Sequence, residues 1–283
     1  MTPPGTTGTL DVPGATLHYE VRGSGPVLLL IPGGAGDAGM YTGLTAALAD
    51  RHTVIGYDQR GLSRSRIHGE AGTADGRPTG EQRVTEWSED VSRLLHALAP
   101  GEQATVVGCS SGAIVALDLL ARHPEQVRRV VAHEPPLVDL LPDPAPHRAL
   151  FAEVREIFRR SGVGPAMARF SEGLGGRQDD RPTELPPELA EFAPRMHANL
   201  PVFLEQVLCP FSSGRPDLDR LRPVADRLVL AVGRESRGQV PLYGPAERLA
   251  ELLDCRLAEF PGGHLGATER PREFAEQLEK EIA

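Results

Sequence analysis

The stretch ATVVGCSSGAIVALDLLARHP, residues 104–124, decides the fold. Residues 104–108 form a short apolar run typical of a buried strand, and residues 110–124 have the pattern of a turn that leads into an apolar helix. Between them, Gly108-Cys109-Ser110-Ser111-Gly112 matches G-x-S-x-G. A sharp turn from strand to helix exposes the hydroxyl of its central serine, so this context predicts that Ser110 is a nucleophile. A glycine-serine turn without a chemical role is the alternative interpretation.

Strand-like and helix-like segments alternate on both sides of this stretch. Predicted strands lie at residues 10–22 (two short strands), 26–32, 52–58, 127–134, 226–233 and 255–260, and predicted helices at 40–50, 83–98, 245–253 and 271–282. This alternation predicts an α/β fold, with a mostly parallel central sheet and helices on both of its faces.

Residues 135–222 interrupt the alternation with clustered prolines and helical stretches. We therefore predict a helical cap at 135–222, inserted between two sheet strands of a core formed by residues 1–134 and 223–283. The cap carries large apolar residues that could line the roof of a pocket, although each one could instead pack the cap itself: Phe151, Phe158, Met167, Phe170, Phe192, Met196, Phe203 and Phe211. It also carries arginines that could bind a substrate carboxylate: Arg159, Arg160, Arg169 and Arg177.

A nucleophilic serine needs a base, and His264 is the candidate. The loop Phe260-Pro261-Gly262-Gly263-His264 follows the last predicted strand and precedes the last predicted helix. A loop in that place can bring an imidazole over the strand ends, and the chain order of serine before histidine fits a triad of this kind. A histidine on a surface loop is the alternative interpretation.

With these features, the chain resembles the α/β-hydrolase superfamily from about Leu17 to its C-terminus. LLLIPGG (28–34) is similar to the family's strand and oxyanion-hole turn, and YDQRGLSRS (57–65) is similar to its Tyr-Asp-x-Arg-Gly-x-Gly-x-Ser segment. The resemblance implies that the backbone N–H groups of Gly34 and Ser111 form the oxyanion hole. Two positions depart from the family pattern, namely Pro32 in place of a histidine and Ser63 in place of a glycine.

The resemblance also implies a carboxylate that orients His264, and its usual position is occupied by Ser236. Two candidates remain. Glu235 is adjacent to the usual position, and Glu134 ends the preceding strand, where haloalkane dehalogenases carry their acid. We predict Glu134 as the acid, with Glu235 as the alternative. Either glutamate could instead be a solvated charge or the partner of an arginine.

Together these residues predict a serine hydrolase that cleaves a small or medium hydrophobic ester, lactone or related acyl compound through an acyl-enzyme. This chemistry requires no cofactor and no metal. An alternative is a dinucleotide-binding oxidoreductase, because residues 34–39 match G-x-G-x-x-G and Asp58 follows about twenty residues later. A second alternative is a non-hydrolytic enzyme of the same fold, such as a lyase, a cyclase or an enzyme that cleaves C–C bonds.

Composition narrows the range of partners. The chain has 283 residues and a net charge of −9, which disfavours nonspecific binding to nucleic acid. Its three cysteines, Cys109, Cys209 and Cys255, lie far apart, which argues against a metal knuckle and fits a reducing compartment. Neither a signal peptide nor a membrane-spanning run is apparent. We therefore expect a cytoplasmic protein whose partner is a small-molecule substrate.

Overall fold

The computed structural model describes residues 5–175 and 190–283. Their strands are β1 Thr6–Val12, β2 Ala15–Gly23, β3 Val27–Ile31, β4 Thr53–Tyr57, β5 Arg66–Ile67, β6 Ala104–Cys109, β7 Val127–His133, β8 Leu228–Gly233 and β9 Arg256–Phe260. Their helices are α1 Thr42–Leu48, α2 Val84–Leu98, α3 Ser111–Arg122, α4 Ala145–Ser161, α5 Val163–Gly173, α6 Phe192–Val202, α7 Leu208–Ser212, α8 Leu218–Leu221, α9 Val240–Leu253, α10 Gly266–Glu269 and α11 Pro271–Ile282.

The strands form one sheet in the order β1-β2-β4-β3-β6-β7-β8-β9, and β5 pairs with β2. The pairs from β4 through β3, β6, β7 and β8 to β9 are parallel, whereas β1 pairs with β2, and β2 with β4, in antiparallel fashion. The predicted α/β fold with a mostly parallel sheet is confirmed. Since parallel strands end at the same edge of the sheet, the loops after β3, β6, β7, β8 and β9 meet there.

Helices cover both faces of the sheet, which explains the continuous apolar run of β3. Leu28 and Leu30 are buried against the layer that contains α1 and α11, and Leu29 and Ile31 against the layer that contains α2 and α3. All four side chains are essentially inaccessible to solvent. A strand buried on both faces has no polar face, so it lacks the alternating pattern of a half-exposed strand.

Two elements begin earlier in the chain than the sequence predicts. β1 starts at Thr6 because Thr6 pairs with Val21 of β2, although its polar residues give no apolar signal. α9 starts at Val240 rather than at residue 245, with Pro241 in its first turn, where a proline is tolerated because no intrahelical N–H is required.

The segment between β7 and β8 is helical in the part that the structure describes. Residues 135–175 and 190–227, named the helical insert here, contain α4 to α8 and a π-helical turn at Phe203–Val207, with no strand among them. Whether this insert acts as a cap stays a prediction at this point. Across the described ranges of the chain, no helix is both long and apolar enough to cross a membrane.

Candidate active site

Ser110 occupies a strained turn between β6 and α3. Its backbone has φ 55° and ψ −125°, and its N–H donates to the carbonyl oxygen of His133 at 2.9 Å. The flanking glycines leave no room for side chains, because a Cβ at Gly108 would lie 2.3 Å from the oxygen of Gly112, and one at Gly112 would lie 2.4 Å from the oxygen of Ile31. Strain of this kind persists where the surrounding structure fixes the backbone, which is common at functional sites.

His264 and Glu134 form a hydrogen bond at the edge of the sheet. Nδ1 of His264 lies 2.7 Å from Oε2 of Glu134, while Oε1 of Glu134 accepts the backbone N–H of Gly233 at 2.7 Å. The glutamate is fully buried and directly follows β7. Both of its oxygens are therefore fixed, one by the backbone and one by the imidazole.

This environment keeps Glu134 ionised. Burial would raise the pKa of its carboxyl, but the hydrogen bond from His264 and the neighbouring imidazole of His133 outweigh burial and lower the pKa to about 2. An ionised carboxylate can only accept hydrogen bonds, so Nδ1 of His264 carries the hydrogen that it donates. The other ring nitrogen, Nε2, is then free to accept a proton.

The structure separates the two glutamates that the sequence left as candidates. The carboxylate of Glu235 is exposed and accepts a hydrogen bond from Nη2 of Arg270 at 2.6 Å, instead of facing the imidazole. Ser236, at the position where the family usually keeps its acid, is buried, and its hydroxyl has no hydrogen-bond partner among the described residues. Glu134 is thus the carboxylate that contacts His264.

The turn after β3 lies directly against the nucleophile. A Cβ at Gly33 would be 2.6 Å from the Cβ of Ser110, so this close approach requires glycine. The N–H of Gly34 donates to Oγ of Ser111 at 2.9 Å. Both residues predicted to form the oxyanion hole therefore lie together beside Ser110, and in this state the donor of Gly34 is satisfied by a hydroxyl.

Ser110, Ser111 and His264 line one small cavity. Its volume is about 20 Å³, enough for a single water molecule. No hydrogen bond joins Ser110 to His264 among the described residues, and such bonds are often long before a substrate binds. A larger groove of about 550 Å³ runs between α1 and α11 and contains none of these three residues.

The helical insert supplies most of the roof of this cavity. Of the eight large apolar residues proposed from sequence, four line it: Phe151, Phe170, Phe203 and Phe211. The remaining lining residues, which sequence reasoning missed, are Pro136, Leu174, Val207, Leu208, Ser212 and Leu242. Five of these six are apolar and are spaced like ordinary core residues, so no signal in the sequence distinguishes them.

The arginines proposed as carboxylate ligands have other partners. Arg159 pairs with Glu205, and Arg169 pairs with Glu153 at 3.0 Å. Neither these two nor Arg160 lines the cavity. Arg177 lies outside the described residues. For the three arginines that are described, the structure gives no support to a role in substrate binding.

The residues that suggested a dinucleotide-binding site, namely Asp58 and the glycine-rich residues 34–39, also have other roles in the structure. Oδ1 of Asp58 accepts the N–H of Ala38 at 3.1 Å, and its carboxylate pairs with Arg64, so it is not open to a ribose. The glycine-rich residues 34–39 lead into a short 3₁₀ turn. Within the described ranges, no group of three or more histidine, cysteine, aspartate or glutamate side chains could hold a metal ion.

Comparisons with known proteins agree with this architecture. The alpha/beta hydrolase fold family model matches residues 26–172. The uncharacterized hydrolase YraK of Bacillus subtilis (strain 168) is 38% identical over 276 residues, which cover 96% of this chain and 94% of YraK. The putative carbamate hydrolase RutD of Azorhizobium caulinodans is 40% identical over 114 residues, or 40% of this chain and 39% of RutD.

Among solved structures, a thermophilic esterase from Thermogutta terrifontis superposes with a TM-score of 0.73 at 19% identity, covering 99% of this chain and 98% of the esterase. At that identity the likeness concerns the fold alone. The family model and the nearly full-length match to YraK carry the assignment. The chain therefore belongs to the alpha/beta hydrolase fold family, as an enzyme of the hydrolase type.

Proposed function

We propose that this protein is a serine hydrolase that cleaves small or medium, neutral and hydrophobic esters, lactones or related acyl compounds through an acyl-enzyme. The observation that carries the proposal is the 2.7 Å hydrogen bond between Glu134 and His264, because His264 lines the same small cavity as Ser110. A nucleophile, a base and a group that orients the base are the parts that acyl transfer needs.

In the proposed reaction, Oγ of Ser110 attacks the carbonyl carbon while Nε2 of His264 accepts the hydroxyl proton. The ionised Glu134 stabilises the imidazolium. The N–H groups of Gly34 and Ser111 stabilise the oxyanion, for which Gly34 exchanges its bond with the Ser111 hydroxyl for one with the substrate oxygen. The bond to the leaving group then breaks, and His264 returns the proton to it. A water molecule hydrolyses the acyl-enzyme by the same steps.

The lining of the cavity supports a neutral substrate. Its polar side chains among the described residues are Ser110, Ser111, Ser212 and His264. The hydroxyl of Ser212 donates to the carbonyl oxygen of Leu208 at 2.7 Å, so it is already used within its helix. A charged acyl group would therefore lose its hydration without gaining a partner, which is costly.

The size of the cavity supports a cap role for the helical insert. A volume of about 20 Å³ is far below the roughly 300–1,000 Å³ of a typical ligand pocket. Since the roof consists of helices of the insert, we propose that these helices shift to admit substrate and that they restrict its size. The name of RutD as a carbamate hydrolase adds carbamates to the acyl compounds to be assayed.

The test combines turnover with covalent labelling. We expect hydrolysis of p-nitrophenyl butyrate, and about tenfold or more slower hydrolysis of the p-nitrophenyl monoester of succinate, which has similar length and a charged end. A fluorophosphonate should form an adduct that mass spectrometry locates on Ser110. The absence of both turnover and adduct would refute a serine hydrolase, and equal rates for the two esters would refute the neutral substrate class.

A further inference from the structure

Helix α6 of the helical insert contacts the turn that carries Gly34. Residues 33–37 form this turn, named the oxyanion turn here. Asn199 on α6 is fully buried, and its Nδ2 donates to the carbonyl oxygen of Ala35 at 3.0 Å and to Oγ of Ser63 at 2.8 Å. Its Oδ1 accepts the N–H of Ser63 at 2.9 Å. The amide thus bridges the insert and two loops of the core, with both donor hydrogens in use.

A second contact lies one helical turn earlier on α6. Arg195 forms an ion pair with Asp37 at the other end of the oxyanion turn, and Asp37 is fully buried. The carboxylate of Asp37 also accepts the N–H of Gly39 at 2.8 Å. Because residues four apart lie on the same face of a helix, Arg195 and Asn199 hold the two sides of the turn at once.

The turn depends on such contacts to fix its conformation. Gly34 has a positive φ of 58° and no side chain, so its own packing cannot fix the direction of its N–H. That direction depends on three contacts: the bond of Gly34 with the Ser111 hydroxyl, the bond from the N–H of Gly36 to the carbonyl oxygen of Gly33 at 2.9 Å, and the hold of Asn199 on the carbonyl of Ala35. An oxyanion donor must be positioned within a fraction of an ångström to be effective.

We propose that Asn199 is a positioning residue for the oxyanion hole, so that the position of α6 against the core determines the rate of acyl transfer at Ser110. This inference rests on the proposed function, since it requires an oxyanion at Gly34. It makes the helical insert part of the catalytic apparatus, in addition to a roof. An Asn199 that merely holds the insert in place would affect stability and leave the chemical step unchanged.

The test compares two variants of Asn199 with one variant of Ser63, which is a hydrogen-bond partner of the Asn199 amide. Asn199→Ala removes the bond to Ala35 together with both bonds to Ser63. Asn199→Ser is a second variant that keeps a polar group in the buried site but is too short to reach Ala35. Ser63→Gly is the matched control, because it removes the bond to the Ser63 hydroxyl and leaves the Ala35 contact intact. Ser63 has a positive φ of 50°, so glycine fits its backbone.

The measurements are kcat and KM for p-nitrophenyl acetate, the rate of inactivation by a fluorophosphonate, and Tm. We expect both Asn199 variants to lower kcat and the inactivation rate by about 10- to 100-fold, with KM within about twofold, since misplacement of a catalytic group by about 1 Å costs this much. Ser63→Gly should keep both rates within about twofold of wild type.

Three outcomes would count against the inference. Wild-type rates with a lowered Tm in either folded Asn199 variant would show that the residue only stabilises the insert. A raised KM with unchanged kcat would show a role in binding. An equal loss of rate in Ser63→Gly would show that the Ala35 contact is not the important one. Failure of the proposed function is distinct, because the wild-type protein itself would then neither turn over the ester nor react with the fluorophosphonate.

Discussion

The floor and the roof of the active-site cavity are built in different ways. The floor consists of polar groups at the ends of β3, β6, β7 and β9, with Glu134 fixed by two hydrogen bonds of 2.7 Å. The roof consists mainly of apolar side chains on the helices of the insert, such as Phe151, Phe170 and Phe203. A substitution in the floor removes a directional bond, so we expect it to lower kcat by a large factor. A substitution in the roof removes one of several shared apolar contacts, so we expect it to change substrate selectivity by a small factor.

The largest effect is expected at the nucleophile. Ser110→Ala should lower kcat for p-nitrophenyl butyrate by about 10⁶-fold, because the attacking oxygen is lost. His264→Ala should cost a similar factor, and the double variant should be no worse, because members of a triad act as a unit. Circular dichroism should show an intact fold. Retention of most of the wild-type rate in purified Ser110→Ala would refute the assignment of the floor.

The second-largest effect on kcat is expected at Glu134, and it distinguishes this residue from Glu235. Glu134→Gln should lower kcat by about 10⁴-fold, since a neutral amide cannot stabilise the imidazolium and can favour the wrong tautomer. Glu235→Gln is the matched control and should leave kcat nearly unchanged, because Glu235 pairs with Arg270 at the surface. The reverse pattern would make Glu235 the acid, and full activity in both variants would leave Ser110 and His264 as a dyad.

An intermediate effect is expected at His133, which lies beneath the floor, and it concerns the stability of the fold instead of the rate. Burial lowers the pKa of this imidazole from 6.5 to about 4, the charge of Glu134 offsets burial only in part, and neither ring nitrogen has a partner among the described residues. Between pH 4 and 6.5 this residue therefore binds more protons in the unfolded chain than in the folded one, so its contribution to the free energy of unfolding rises with pH across that range and levels off above it.

His133→Leu tests this expectation. The variant should lose a pH-dependent increment of about 3 kcal/mol in the free energy of unfolding between acid and neutral pH, measured by urea denaturation. The carboxyl of Glu134, with its pKa lowered from 4.5 to about 2, contributes stability that is constant above pH 4.5 and is lost as the pH falls below it, so its pH dependence lies mostly below that of His133. Identical pH profiles for the wild type and His133→Leu would contradict the prediction.

The smallest effect is expected at the roof. Phe170 lines the cavity and packs against Phe151 and Phe203, with ring centroids 6.0 and 5.8 Å away. Phe170→Ala should raise kcat/KM for p-nitrophenyl benzoate relative to p-nitrophenyl acetate by about tenfold, because the roof gains space for a ring. Phe158→Ala, a control in the same insert but away from the cavity lining, should leave this ratio unchanged. A shift of equal size in both variants would show that the roof does not select by size.

Sequence reasoning was most successful where a site depends on residues close together in the chain. The strand, the turn and the helix around Ser110 lie within residues 104–124, and the apolar pattern and flanking glycines that produce them are visible there. The oxyanion turn after β3 and the loop of His264 after β9 were located in the same way. The parallel sheet followed from the alternation of elements, since parallel strands need crossover connections.

The sequence by itself thus determined the elements, their order and the local turns that expose Ser110, Gly34 and His264. Only the tertiary structure decided which glutamate contacts His264, because Glu134 lies 130 residues away and the pairing depends on the order of β7, β8 and β9 in the sheet. It also decided which phenylalanines face the cavity, and that Asn199 holds Ala35 across 164 residues. Local patterns arise from neighbours in the chain, whereas contacts over such separations depend on how the whole core packs.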